Sequence, residues 1–264
     1  MLLAIDIGNT GIKLGLFDDD RLKVTWQLAT GIHRTADEYG ISLLNLLQRQ
    51  RLLPSKINGV ALCSVVPPLV PTFQEMCQKW LKIQPLVVEA GVKTGLRIRM
   101  DNPREVGPDR VANAVAAHYL CGKPVIIIDL GTATTFDVVS KGGDYLGGAI
   151  APGISIASEA LFTRTAMLPR IELARPKQVI GKNTTSAMQS GIIFGYIGLI
   201  ESMIQRIEQE LGSKTTVVAT GGHAYPIAKE IPAIDVINPD LTLIGLRLIY
   251  EMNMPKGQIE KKEY

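Results

Sequence analysis

The chain is poor in the residues that build disulfide frameworks and metal clusters. Its 264 residues include three cysteines (Cys63, Cys77, Cys121) and three histidines (His33, His118, His223). The cysteine count is odd and no Cys-x-x-Cys pair occurs, which argues against a disulfide scaffold or a zinc ribbon. Each thiol reads as a small buried hydrophobe in a reducing compartment. The histidines are scattered without metal-ligand spacing and read as surface or helix-packing residues. Net charge is +3, too slight to point to nucleic acid. The most apolar run, GIIFGYIGLI from Gly191 to Ile200, is much shorter than the roughly 20 residues of a membrane span. The first residues carry no basic region or cleavage signal. The expectation is a cytoplasmic protein without a membrane or nucleic-acid partner.

What remains is ordinary globular material, 46% apolar and 20% charged, long enough for one large domain or two of usual size. Leu2–Ile7, Ile12–Phe17 and Leu22–Leu28 read as an antiparallel meander. Helical spacing follows over Thr35–Gln50, with Tyr39, Leu43, Leu46 and Leu47 on one face. Ile57–Val66 reads as a buried strand, Pro67-Pro68 opens a helix to about Trp80, and Leu86–Val88 is a short strand. A helix starts at Gly107-Pro108-Asp109-Arg110. The pattern then restarts, with strands Val125–Leu130, Thr134–Ser140 and Tyr145–Ile150. Helix-like segments follow, then strands Val217–Ala219 and Ala233–Ile237 and a last helix, Leu241–Met252. The tail KGQIEKKEY reads as frayed. The repetition is of a whole unit, so two similar α/β domains, 1–118 and 119–264, are expected to enclose a cleft.

Each unit opens with a strand ending in an aspartate before a glycine turn: DIGNT at Asp6 and DLGT at Asp129. Glycine lets backbone N–H groups approach an anion closely, Thr and Asn add donors, and a carboxylate at a strand end can hold a hard cation. Lys13, on the strand leaving the first turn, offers a point charge to phosphate. Two such turns suit Mg²⁺-bound polyphosphate, with Mg²⁺ at Asp129. A third stretch, VVATGGHA (Val217–Ala224), is a plausible nucleotide turn of strand, Gly221-Gly222, then helix. Asp109 sits in a first helical turn, where a carboxylate simply favours the dipole. Arg110 beside it can grip a carboxylate. Thr184 can cap the helix that runs to about Leu211. The first half of that helix is apolar on nearly every side, and Gly191, Gly195 and Gly198 permit close approach, so it reads as buried all round, in a core or beneath a partner subunit.

The order of the two hairpins and the Gly-Gly turn resembles the superfamily of acetate and sugar kinases, heat-shock ATPases and actin. Its fold class is α/β, with two ribonuclease-H-like domains facing a nucleotide cleft (the actin-like ATPase fold). The finer resemblance is to type III pantothenate kinase. It is carried by DIGNTGIK, DNPREVGPDR, DLGTATTFDVV, GGAIAPG, GKNTTSAMQSG and NPDLTLIGL, over essentially the whole chain.

The resemblance implies that Asp6, Ile7, Gly8, Asn9, Thr10, Gly11, Ile12 and Lys13, with Thr132, bind ATP. It assigns Asp129 to a monovalent cation, K⁺ or NH₄⁺, in place of Mg²⁺, which would accompany the ATP. It makes Asp109 the general base, and Gly107, Pro108, Asp109, Arg110 and Thr184 the pantothenate contacts. It implies a homodimer, and a tyrosine against the substrate where this chain has Met100. The activity implied is ATP-dependent phosphorylation of pantothenate, the first step of coenzyme A synthesis. Two other readings stay open: a sugar kinase of the superfamily and a non-catalytic nucleotide-sensing regulator on the same fold.

Overall fold

The computed structural model describes residues 1–222 and 224–254. His223 and the tail from Pro255 on, both interpreted above from sequence, lie outside the described residues. The chain forms two compact units. Of the described residues, one comprises Met1–Leu96, Asn102–Ala116 and 241–254; the other comprises Arg97–Asp101 and Ala117–Asp240.

In the first unit, β1 (Leu2–Ile7), β2 (Gly11–Asp18) and β3 (Arg21–Ala29) form the expected meander. After α1 (Ala36–Arg49) come β4 (Gly59–Ser64), α2 (Leu69–Met76) and β5 (Leu86–Val87). The sheet order is β3-β2-β1-β4-β5, with β4 parallel to β1. Thr35 starts α1 with a capping box, its side chain bonded to the Glu38 N–H and the Glu38 carboxylate to its own N–H. Tyr39, Leu43 and Leu47 of α1 and Phe73 and Met76 of α2 are buried with Leu3, Ile5, Ile12 and Leu14 of the sheet. The helix begun by the prolines turns into a π-helical segment over Cys77–Leu81, closed by Lys82 in the left-handed region (φ 60°).

Next come β6 (Arg97–Ile98) and α3 (Pro108–Cys121), then β7 (Val125–Leu130), β8 (Ala133–Val139) and β9 (Asp144–Pro152). They are followed by α4 (Ile154–Thr163), α5 (Thr184–Leu211), β10 (Thr216–Thr220), α6 (Ala224–Ala228), β11 (Val236–Ile237) and α7 (Leu241–Asn253). The second sheet runs β11-β10-β7-β8-β9-β6. Apart from β6 it repeats the order of the first. Even the register shift between the second and third strands of the meander recurs, at Leu16/Phe17 and at Val138/Val139. Ile126, Ile128 and Phe136 of this sheet pack with Tyr196, Ile200 and Ile204 of α5.

Two expectations about the division of the chain are corrected. A cut after residue 118 puts α7 in the second unit, but its buried face packs on β1, β2 and β4 of the first. Thr242 at its start also donates a 2.8 Å hydrogen bond to Asn113 of α3, both side chains being buried. Residues 97–101 belong instead to the second unit, because β6 pairs with β9 and Arg97 and Arg99 both bond the Asp144 carboxylate. The expected strand over Ala233–Ile237 shrinks to Val236–Ile237.

For the long helix α5, the reading as a helix buried all round in a core is corrected. It buries one stripe, Met188, Ser190, Tyr196, Ile200 and Ile204, and leaves Gly191, Gly195 and Gly198 exposed. Among the described residues it is the one helix long and apolar enough, by length and composition, to cross a membrane.

Candidate active site

β1 and β7 have the same burial pattern. Every residue of each is buried except the aspartate before the last position, Asp6 or Asp129. An otherwise apolar strand therefore presents one half-exposed carboxylate at its end.

The first turn is braced by Thr30, the residue after β3. Gly8 N–H donates to the Gly11 carbonyl at 3.0 Å, Thr30 N–H to the Thr10 carbonyl at 3.3 Å, and the Thr30 hydroxyl to the Gly8 carbonyl at 2.7 Å. Asn9 and Thr10 are exposed at its tip, whereas Ile7 and Ile12 are fully buried. Neither isoleucine exposes surface to a ligand here, in side chain or backbone. Asp6 faces Lys13 across the antiparallel pair and Cys63 across the parallel one, and directly paired residues share a sheet face. The Cys63 thiol donates to Asp6 Oδ1 at 3.4 Å.

Asp109, distant in sequence, is in the same unit. It lies in the first turn of α3, where its Oδ1 accepts from the Arg110 N–H at 2.8 Å. The carboxylate lies so close to Gly107 that a methyl group there would stand 2.5 Å from Oδ1. Burial, then the charges of Asp6 and Asp109 and the bond to Asp6, push the Cys63 thiol well above its ordinary range; the Ile7 N–H works the other way. Cys63 is buried, as its reading as a small hydrophobe implies, and is in addition a neutral thiol with both carboxylates in its field.

In the second unit the partners of the aspartate are different. Asp129 is flanked by Thr135 on β8 and Thr220 on β10. The Thr220 hydroxyl is buried and has no hydrogen-bond partner among the described residues. Gly221, with φ 96°, packs directly on Asp129 and Leu130, which joins the third glycine stretch to the second hairpin. Thr132 is exposed at the turn, and its carbonyl accepts from the Gly153 N–H at 3.1 Å. Thr184 is the exposed first residue of α5, but the cap is Asn183, whose side chain accepts from the Ser186 N–H at 2.9 Å. Met100 sits against Gly147 of β9; a methyl on that glycine (φ 110°) would stand 3.0 Å from the Met100 sulfur.

Two mixed sheets of one topology, each presenting an aspartate before a glycine turn, define the class: the actin-like ATPase fold. The fold matches a solved structure from Campylobacter jejuni described as a putative Baf family transcriptional activator. That match has TM-score 0.62 and 19% identity over 95% of this chain and 98% of the other. An inorganic polyphosphate/ATP-glucomannokinase from Arthrobacter matches with TM-score 0.50 and 16% identity, over 95% and 98% of the two chains.

Within that class, the model of the type III pantothenate kinase family matches residues 2–206. Type III pantothenate kinases of Dehalococcoides mccartyi and Moorella thermoacetica are each 55% identical to the chain. Each covers 96% of it, and the match spans 98% and 100% of those relatives. The chain belongs to the type III pantothenate kinases, enzymes that phosphorylate pantothenate in coenzyme A biosynthesis.

Proposed function

We propose that the phosphoryl group passes from ATP on the Asp6–Lys13 turn to the 4′-hydroxyl of pantothenate, with Asp109 as general base. The observation that carries this reading is the difference between the neighbours of the two aspartates. Asp6 has Lys13 beside it, a cation suited to phosphate. Asp129 stands beside two threonines, Thr135, whose hydroxyl donates to Asp137 at 3.0 Å, and Thr220, whose hydroxyl is buried without a partner among the described residues, an all-oxygen surrounding suited to a hard cation.

Asp129 with Thr220 would hold K⁺ or NH₄⁺, which neutralises phosphate charge when bound. Mg²⁺ needs no dedicated cage, because it binds through one or two carboxylates together with substrate phosphates; Asp6 fits that need. Backbone N–H groups of the two turns and Lys13 position the donor, and exposed Thr132 contacts it. Asp109 takes the hydroxyl proton, Arg110 grips the pantothenate carboxylate through its planar fork, and Thr184 adds a substrate contact. Gly107 leaves room for the Asp109 carboxylate. This is catalysis mainly by positioning and charge stabilisation, as phosphoryl transfer requires.

A second copy of the chain covers the outer face of α5. In support, a methyl on Gly191, Gly195 or Gly198 would meet nothing within 4 Å, which leaves a smooth apolar surface. The dimer works in the cytoplasm, a setting consistent with its unbridged thiols. An ADP-release assay with pantothenate against a panel of sugars, with and without KCl, tests the reaction, and sedimentation velocity tests the dimer. ADP release with a sugar and none with pantothenate would overturn the assignment.

A further inference from the structure

Tyr196 lies in the middle of α5, outside every phosphate or substrate motif, yet its hydroxyl reaches the second hairpin. The side chain is 6% exposed. Its hydroxyl donates to the Pro152 carbonyl at 2.9 Å and also contacts the Thr134 hydroxyl, which is itself fully buried. Burial raises the Tyr196 phenol above its ordinary range, so it remains a donor.

Both partners flank the Thr132 turn. Thr134 pairs with Leu130 across β7–β8, and Pro152 pairs with Ala133 across β8–β9. The next residue, Gly153, gives its N–H to the Thr132 carbonyl. One hydroxyl therefore ties α5 to β8, which leaves the turn, and to the end of β9, whose following residue braces it. The same helix begins at Thr184, about 18 Å away along its axis at 1.5 Å per residue, so a rigid α5 relates that end to the turn. Core volume does not require the hydroxyl, because phenylalanine would fill the same space. Buried polar groups that satisfy one another instead fix a particular geometry.

We propose that Tyr196 is a positioning residue: its hydroxyl holds the Thr132 turn against α5 in the shape that receives ATP. This rests on the reading of Thr132 as an ATP contact.

The test compares full-length Tyr196→Phe, Thr134→Val, the double variant and Thr132→Ala, with KM for ATP, KM for pantothenate, kcat and Tm measured for each. Tyr196→Phe and Thr134→Val should each raise the KM for ATP by about threefold to tenfold, the value of one hydrogen bond. The pantothenate KM should move by less than about twofold, and the double variant should be no worse than the poorer single one, because both remove the same link. If Tyr196→Phe fails to fold, Thr134→Val carries the same comparison. A lowered Tm with wild-type kinetic constants would make the cluster a structural brace and overturn the proposal. Equal rises in both KM values would do the same. Should Thr132→Ala raise the KM for ATP while Tyr196→Phe does not, the Tyr196 proposal alone fails. An unchanged KM for ATP in Thr132→Ala would remove the ATP reading of the turn, and the proposal with it.

Discussion

Gly221 lies so close to Asp129 that a methyl group on it would stand 2.5 Å from Asp129 Oδ1. Its φ of 96° is a conformation that glycine adopts without strain and other residues avoid. The turn after β10 therefore closes over the carboxylate that ends β7, and the two glycine stretches of the second unit form one surface.

Gly221→Ala should displace the Asp129 carboxylate, with backbone strain of about 1–3 kcal/mol added. In Tris buffer the wild-type enzyme should depend on KCl or NH₄Cl, and the variant should need roughly tenfold more salt for half-maximal activity, equivalent to about 1.4 kcal/mol. Circular dichroism checks that it folds. Full wild-type activity without either ion would return Asp129 to the Mg²⁺ role that its carboxylate chemistry alone suggests.

The doubled unit is legible in sequence because Asp6 and Asp129 interrupt strands that are otherwise wholly buried, and turn residues follow them. Of the elements of two residues, β5 is legible at Leu86–Val88 and β11 only as part of a longer run, whereas β6 is not legible. Their strand character comes from the neighbour they pair with, and periodicity has nothing to act on over two positions. Sequence order likewise could not assign α7 to the first sheet, since an amphipathic face does not specify which sheet it covers. Of the candidate site residues, Asp109 and Thr184 are named through motif resemblance. Cys63 and Thr220 stand beside the aspartates through strand register, which the sequence does not display. Tyr196 was hidden in an apolar run, and only the fold brings its hydroxyl to Pro152.

Asp109→Asn should lower kcat by about 10²–10⁴, the usual contribution of a general base, while ATP affinity stays within about twofold. Asparagine keeps the Oδ1 acceptor that the Arg110 N–H uses at 2.8 Å, so the start of α3 is preserved and only the proton acceptor is lost. Steady-state kinetics and ATP titration calorimetry on the purified variant separate the two quantities. A kcat near wild type would remove Asp109 from the role of base.

The cysteines should differ in reactivity. Burial pushes Cys77 up to about 12 and Cys63 well above its ordinary range, so neither supplies appreciable thiolate at pH 8. Cys121 is also raised, by burial and then by the Asp235 charge, but it is partly exposed. A disulfide reagent should therefore modify Cys121 first, with its rate rising as pH approaches the raised pKa, and all three thiols should react in guanidinium. Cys121 ends α3, about 18 Å along the helix from Asp109, so activity should survive its modification. Cys63 or Cys77 reacting as fast as Cys121 in the native protein would contradict this ranking.

Met100 offers a test of how the proposed pantothenate pocket is built. Its thioether lies against Gly147, where a methyl would come within 3.0 Å of the sulfur, so the strand leaves room beside this side chain only because residue 147 is glycine. The resemblance puts a tyrosine here, against the substrate. A tyrosine ring could lie over the same glycine and present a hydroxyl, whereas methionine has a weak acceptor and no donor. One neutral hydrogen bond regained is worth about 0.5–1.5 kcal/mol, roughly threefold to tenfold in affinity. The contact is to the substrate body and not to the moving phosphoryl group, so it stabilises ground and transition states alike. Met100→Tyr should therefore lower the KM for pantothenate by up to about tenfold and leave kcat nearly unchanged, measured at saturating ATP and K⁺. An unchanged or higher KM would mean that the pocket is packed around the methionine, with no place for the tyrosine hydroxyl.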